Sequence, residues 1–118
     1  MSEKFDAYNG GLLAKVVVTY LDAHDEHRAA DAAALFTPDA TVLDDGNTYE
    51  GIAAITAWLR NSSTEWSYTA TRIGQRSTDS RHPTVLIRLD GNFPGGTATV
   101  HHRFELDGDR IRRLAIEA

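Results

Sequence analysis

Thr97-Ala98-Thr99-Val100-His101-His102-Arg103-Phe104-Glu105-Leu106 alternates apolar and polar side chains residue by residue. Val100, His102, Phe104 and Leu106 share one phase, while Thr97, Thr99, His101, Arg103 and Glu105 share the other, as in a strand with one face on a core. Three neighbouring runs rich in threonine, valine and isoleucine read the same way: Ser67 to Gln75, Pro83 to Gly91, and Arg110 to Glu117. They are parted by Thr78-Asp79-Ser80-Arg81-His82, by Asn92-Phe93-Pro94-Gly95-Gly96 and by Asp107-Gly108-Asp109. Each break is hairpin-like, so the second half of the chain predicts a mostly antiparallel meander.

Upstream of Trp66 the period lengthens to that of a helix. Leu13, Val16, Val17, Tyr20, Leu21 and His24 form an apolar stripe over about 11–27. An alanine-rich helix is expected over about 28–36, ended by Thr37-Pro38 because proline disfavours helical geometry in the residue before it. Ala40 to Asp44 reads as a short strand stopped by Asp45-Gly46-Asn47, and a third helix follows over about 51–60 with Ile52, Ile55, Trp58 and Leu59 on one stripe. The predicted order is ααβαββββ, an α+β architecture with helices on one face of a bent sheet. Leu35, Phe36, Val42, Ile52, Ile55, Val85, Ile87, Phe104 and Leu106 are the expected core.

The 118 residues, 42% of them hydrophobic, fit one domain with a modest core. Cysteine is absent, so disulfides and thiolate metal sites are excluded, and a reducing cytoplasm is the expected setting. A formal charge of −5 argues against nucleic acid, whose phosphates need clustered cations; Arg110, Arg112 and Arg113 cluster but read as a solvated strand face. No run is long enough to span a membrane, and Met1 to Phe5 lacks the apolar stretch of a signal peptide.

Tyr20-Leu21-Asp22-Ala23-His24, Ala33-Ala34-Leu35-Phe36-Thr37-Pro38-Asp39-Ala40-Thr41-Val42 and Tyr49-Glu50-Gly51-Ile52-Ala53-Ala54-Ile55 resemble the signature of SnoaL-like proteins of the nuclear-transport-factor-2-like (NTF2-like) superfamily. The likeness runs from about Leu12 to Ile116. It implies a cystatin-like/NTF2-like cone with three N-terminal helices packed on a curved, mostly antiparallel sheet. Members include isomerases, dehydratases, cyclases and non-catalytic binding modules, so fold alone does not choose among them.

By motif the chain is similar to ketosteroid isomerase, in which an aspartate base works beside an oxyanion hole. The resemblance places Tyr20 at the family's oxyanion-hole tyrosine and Asp44 at its general base, and it puts His102 where the family has an aspartic acid. Tyr20 is then either a donor to a developing oxyanion or a core tyrosine bonded to a carbonyl. Asp44 is either a base for a carbon- or oxygen-bound proton or an ordinary turn residue. His102, in the apolar phase of its strand, can be acid, base, neutral donor or a satisfied core histidine.

Val16, Trp58, Trp66, Tyr68 and Phe104 are candidate lining for a flat hydrophobic ligand, with core packing as the alternative for the aromatics. His24-Asp25-Glu26-His27 lacks the i, i+4 histidine pair of a zinc-protease helix, and no metal or cofactor is expected. Two functions remain open. One is a cofactor-independent isomerase, dehydratase or cyclase acting on a small hydrophobic carbonyl compound; the other is a non-catalytic lipophilic-ligand-binding or dimerisation module. A homodimer through the polar phase of Thr97 to Glu105 is expected by analogy with the family.

Overall fold

The computed structural model describes residues 5–65, 68–77 and 79–118. A single 3-10 turn at Gly10–Leu12 leads into α1 (Lys15–Asp25) and α2 (Ala29–Ala33), followed by the hairpin β1 (Phe36–Asp44) and β2 (Asn47–Glu50). Then come α3 (Gly51–Glu65) and four strands, β3 (Tyr68–Ser77), β4 (Pro83–Gly91), β5 (Thr97–Asp107) and β6 (Arg110–Glu117). The strands form one sheet in the order β2-β1-β6-β5-β4-β3, antiparallel throughout except for the parallel pair β1–β6. Three helices thus pack on a six-stranded curved sheet, as the sequence predicts, with one strand more than expected.

The extra strand is β2. Asp45 and Gly46 both take positive φ, 51° and 78°, which is the two-residue turn that the Asp-Gly pair favours and that matches the twist of a hairpin. The chain therefore folds back at once, and Asp44 pairs with Asn47. The second helix is shorter than predicted, because Phe36 leaves it to pair with Ile111 of β6. Pro38 lies inside β1, at the irregularity between Phe36 and Thr41 where β6 asks nothing of its missing N–H. The first helix also starts later than expected, since Asn9 caps the short turn over Gly10 and Gly11 and Leu13 is extended.

Irregular registers interrupt β1–β6, β3–β4 and β5–β6, and bulges of this kind bend a sheet. The apolar phases of β1, β4, β5 and β6 are buried in one cluster with residues of the helices. Tyr20, Phe36, Val42, Ile55, Val85, Phe104, Leu106, Ile111 and Leu114 are buried together, and Leu35 and Ile52 pack at the margin of the same core. At the β3 edge the N-terminal segment adds a bridge between Asp6 and Gln75. Gly74 permits this approach, since a Cβ there would come within 3.2 Å of Phe5 Cβ and 3.3 Å of the Asp6 carbonyl. Among the described residues no helix is long and apolar enough to cross a membrane.

Tyr20 packs edge-on against both Phe36 and Phe104, at ring separations of 5.5 and 5.8 Å. Phe36→Ala or Phe104→Ala should therefore lower the free energy of unfolding by about 3–5 kcal/mol, whereas Leu12→Ala, on an exposed side chain, should leave it within about 0.5 kcal/mol. Urea titration followed by circular dichroism measures all three.

Candidate active site

Strand register decides which side chains share the helix-covered face. Asp44 pairs with Ile116, Ile116 with His102, and His102 with Val85, so one row crosses β1, β6, β5 and β4. The next row joins Val42, Leu114 and Phe104. Asp44 and His102 thus project from the same face, two strand spacings or roughly 10 Å apart at their Cα atoms. Above this surface runs α1, which brings Tyr20 down onto Phe104.

Tyr20 is 1% exposed, and its hydroxyl has no hydrogen-bond partner. Burial pushes its phenol far above the ordinary range, and the neighbouring Tyr68 and the charges of Asp44 and Asp25 push it further. The same two carboxylates, after burial, raise Tyr68. Both phenols accordingly lie within electrostatic reach of both carboxylates. Tyr68 occupies the start of β3 on the phase of Ala70 and Arg72, half-buried.

His102 is 8% exposed and its Nδ1 atom has no partner. Burial first, then the neighbouring His24, push its pKa down to about 3. It is therefore a neutral imidazole at physiological pH, able to donate or accept a hydrogen bond without carrying charge.

Asp44 ends β1 beside the tight turn and is partly exposed. Its Oδ2 accepts a 3.0 Å hydrogen bond from the Trp58 indole N–H of α3, which fixes the carboxylate. The pair borders a cleft of about 450 Å³ whose walls include Tyr49, Asn47 and Asn61, with the Tyr49 and Trp58 rings 5.9 Å apart. Among the described residues no lysine or arginine is paired with Asp44.

The structure thus collects Tyr20, Asp44, His102, Tyr68 and Phe104 on one side of the sheet. Val16 is buried in the core on the Tyr20 helix, and Trp58 is at once a core side chain and the partner of Asp44. Trp66 lies outside the described residues. Sequence reasoning set aside His24 and Asp25 as a failed metal motif. Both belong to this neighbourhood, with the His24 ring 6.0 Å from that of Tyr20. The signal was present in the i, i+4 spacing that puts His24 on the Tyr20 stripe.

The profile of the SnoaL-like domain matches residues 17–114. The chain belongs to the SnoaL-like family. Its fold is the cystatin-like, NTF2-like one. Among solved structures, the candidate polyketide cyclase SMa1630 from Sinorhizobium meliloti is 29% identical with a TM-score of 0.86, over 93% of this chain and all (100%) of that one. A protein of ketosteroid isomerase-like fold from Catenulispora acidiphila, solved with trimethylamine, is 18% identical with a TM-score of 0.76, covering 90% of this chain and 86% of its own. SalBIII, an epoxide hydrolase/cyclase-like enzyme of pyran ring formation in the polyether salinomycin, is 18% identical with a TM-score of 0.73 over 87% of each chain. The last two likenesses concern the fold. No curated protein shows significant similarity to the chain.

A neutral buried His102 has a consequence for stability. The unfolded imidazole binds a proton below about pH 6.5, while the folded one resists until about pH 3, so the unfolded state holds more protons in between. Acid in that window should cost the SnoaL-like fold up to about 1.4 kcal/mol per pH unit from this group. His102→Leu should show a correspondingly flatter loss of stability from pH 6.5 to 3, measured by urea unfolding at stepped pH.

Proposed function

We propose that this protein is a cofactor-independent enzyme that binds a small hydrophobic carbonyl compound and moves a proton on it, within the isomerase, dehydratase and cyclase range. The observation that carries this is the Tyr20 hydroxyl, buried without a partner within electrostatic reach of a carboxylate that Trp58 holds in place. A hydroxyl taken out of water and left unbonded costs about 1–3 kcal/mol, which a core tyrosine avoids and an oxyanion donor recovers when its ligand arrives. Asp44 takes the proton, Tyr20 holds the developing enolate oxygen, and His102 supplies a neutral hydrogen bond nearby. Tyr68, Phe104 and Trp58 give the apolar surround. The 29% identity to a candidate polyketide cyclase supports the same range of chemistry.

A planar phenol is a stand-in for the enolate. Asp44→Asn mimics the protonated base and removes its repulsion of phenolate character, so affinity for acidic phenols should rise. Tyr20→Phe should weaken binding by about 1–3 kcal/mol. Calorimetry with phenols of graded acidity measures both, and flat affinities in both variants would withdraw the catalytic assignment.

We also propose a homodimer through the outer sheet face of Thr97, Thr99, His101, Arg103 and Glu105. That face carries both signs of charge in close order, with Arg103 3.3 Å from Glu117 and Arg112 3.5 Å from Glu105, so a second copy can meet it with complementary pairs. Light scattering at high micromolar concentration should give twice the mass of the chain; a strictly monomeric mass would reject the dimer.

A further inference from the structure

A second carboxylate, Asp25 at the end of α1, lies within electrostatic reach of Tyr20, and proton transfer at Asp44 leaves it unused. Arg72 reaches from β3 to the end of α1, donating to Asp25 Oδ2 at 3.0 Å and to Asp22 Oδ1 at 2.8 Å. It also donates to the Tyr8 hydroxyl at 3.1 Å and lies 5.7 Å from the centre of that ring. Contacts to helix and N-terminal segment therefore immobilise the guanidinium. The other oxygen of Asp25 stands 4.0 Å from Nδ1 of His24. His24 in turn neighbours Tyr20 and is close enough to His102 to help keep that imidazole neutral.

Asp25 and Asp44 differ in their partners. Burial alone would raise the Asp25 carboxyl, but the nearby His24 ring and the hydrogen bond from Arg72 outweigh it and hold the group below its usual range. A carboxylate tied to arginine is a poor base. It is well suited to orient an imidazole and to stabilise the imidazolium form. Asp44 receives a neutral indole N–H instead. Tyr20 thus has the charges of both carboxylates within electrostatic reach and the His24 ring 6.0 Å from its own.

We propose that His24, oriented by Asp25 and Arg72, is the catalytic acid that works with Tyr20 and Asp44, and that the substrate is a β-hydroxy carbonyl compound from which water is eliminated. The proposal rests on Asp44 acting as the base. Asp44 takes the proton from the carbon between the carbonyl and the carbinol, and the C–H electron pair forms an enolate whose oxygen Tyr20 holds. That pair then forms the carbon–carbon double bond as the carbon–oxygen bond breaks. The leaving hydroxyl takes a proton from the His24 imidazolium and departs as water. Asp44 ends protonated and His24 neutral, and one proton passed through solvent resets both, so the net change is the loss of one water. A leaving hydroxyl requires an acid distinct from the base, which a proton shift by a single carboxylate does not.

The test compares two leaving groups on one skeleton. With 4-hydroxy-4-phenylbutan-2-one the enone product is followed by its absorbance. With the 4-nitrophenoxy analogue, whose leaving group departs without a proton, nitrophenolate is followed instead. His24→Gln should slow loss of hydroxide by about 100-fold and leave loss of nitrophenoxide nearly unchanged. Asp25→Asn should act in the same leaving-group-dependent direction and by less, as expected of a positioning residue; a merely structural role would slow both substrates alike. Asp44→Asn should abolish both reactions and the exchange of α-protons with deuterium oxide, read by NMR. Equal effects of His24→Gln on the two leaving groups, or none, would overturn the role of His24 while Asp44 stands. Wild-type protein that exchanges α-protons and expels nitrophenoxide but never hydroxide would overturn the dehydration. Wild-type protein that does neither would overturn the base assignment as well.

Discussion

The parallel pairing of β1 with β6 is the constraint on which the site depends. It sets Asp44 opposite Ile116, and the antiparallel β5–β6 register then sets Ile116 opposite His102. A slip of one residue in either pairing would turn one of the two polar side chains to the outer face, because successive strand residues alternate sides. The apolar row of Val42, Leu114 and Phe104 guards against the slip, since the same slip would expose buried side chains. Asp44 and His102 thus take their alignment from the hydrophobic row beside them.

Within that frame, polar satisfaction is uneven, and the unevenness is informative. Trp58 bonds Asp44, and Arg72 bonds Asp22, Asp25 and Tyr8, so the charged groups at the two ends are anchored. The neutral groups between them, Tyr20 Oη and His102 Nδ1, are buried and unbonded. A fold that gives up stability at two such atoms while anchoring the charged groups keeps hydrogen-bonding capacity in reserve there. His102 adds a further cost in acid, because its site accommodates the neutral imidazole and rejects the charged one.

Much of the fold was legible in the sequence. The limits of β4 and β6 follow from alternation and from the turn residues beside them, and the stripe on α1 follows from its period. β2 was not legible: Asn47-Thr48-Tyr49-Glu50 has little alternation of its own, and it becomes a strand because the Asp45-Gly46 turn folds it against β1. The early end of α2 was hidden for a similar reason, since Phe36 is lost to the helix through a long-range partner, Ile111, that local propensity does not see.

For the candidate site, the sequence by itself determined that Tyr20 lies on an apolar helix stripe, that Asp44 ends a strand, and that His102 sits in the apolar phase of another. Those are statements of local period, and period is a property of neighbours along the chain. The bond from Trp58 to Asp44 and the anchoring of Asp25 by Arg72 were decided by tertiary structure alone. Residues 14 apart in one case and 47 in another meet across packed elements, and the carboxylates acquire different partners there. Two aspartates that look alike in the sequence become unlike because one is given an arginine and the other an indole.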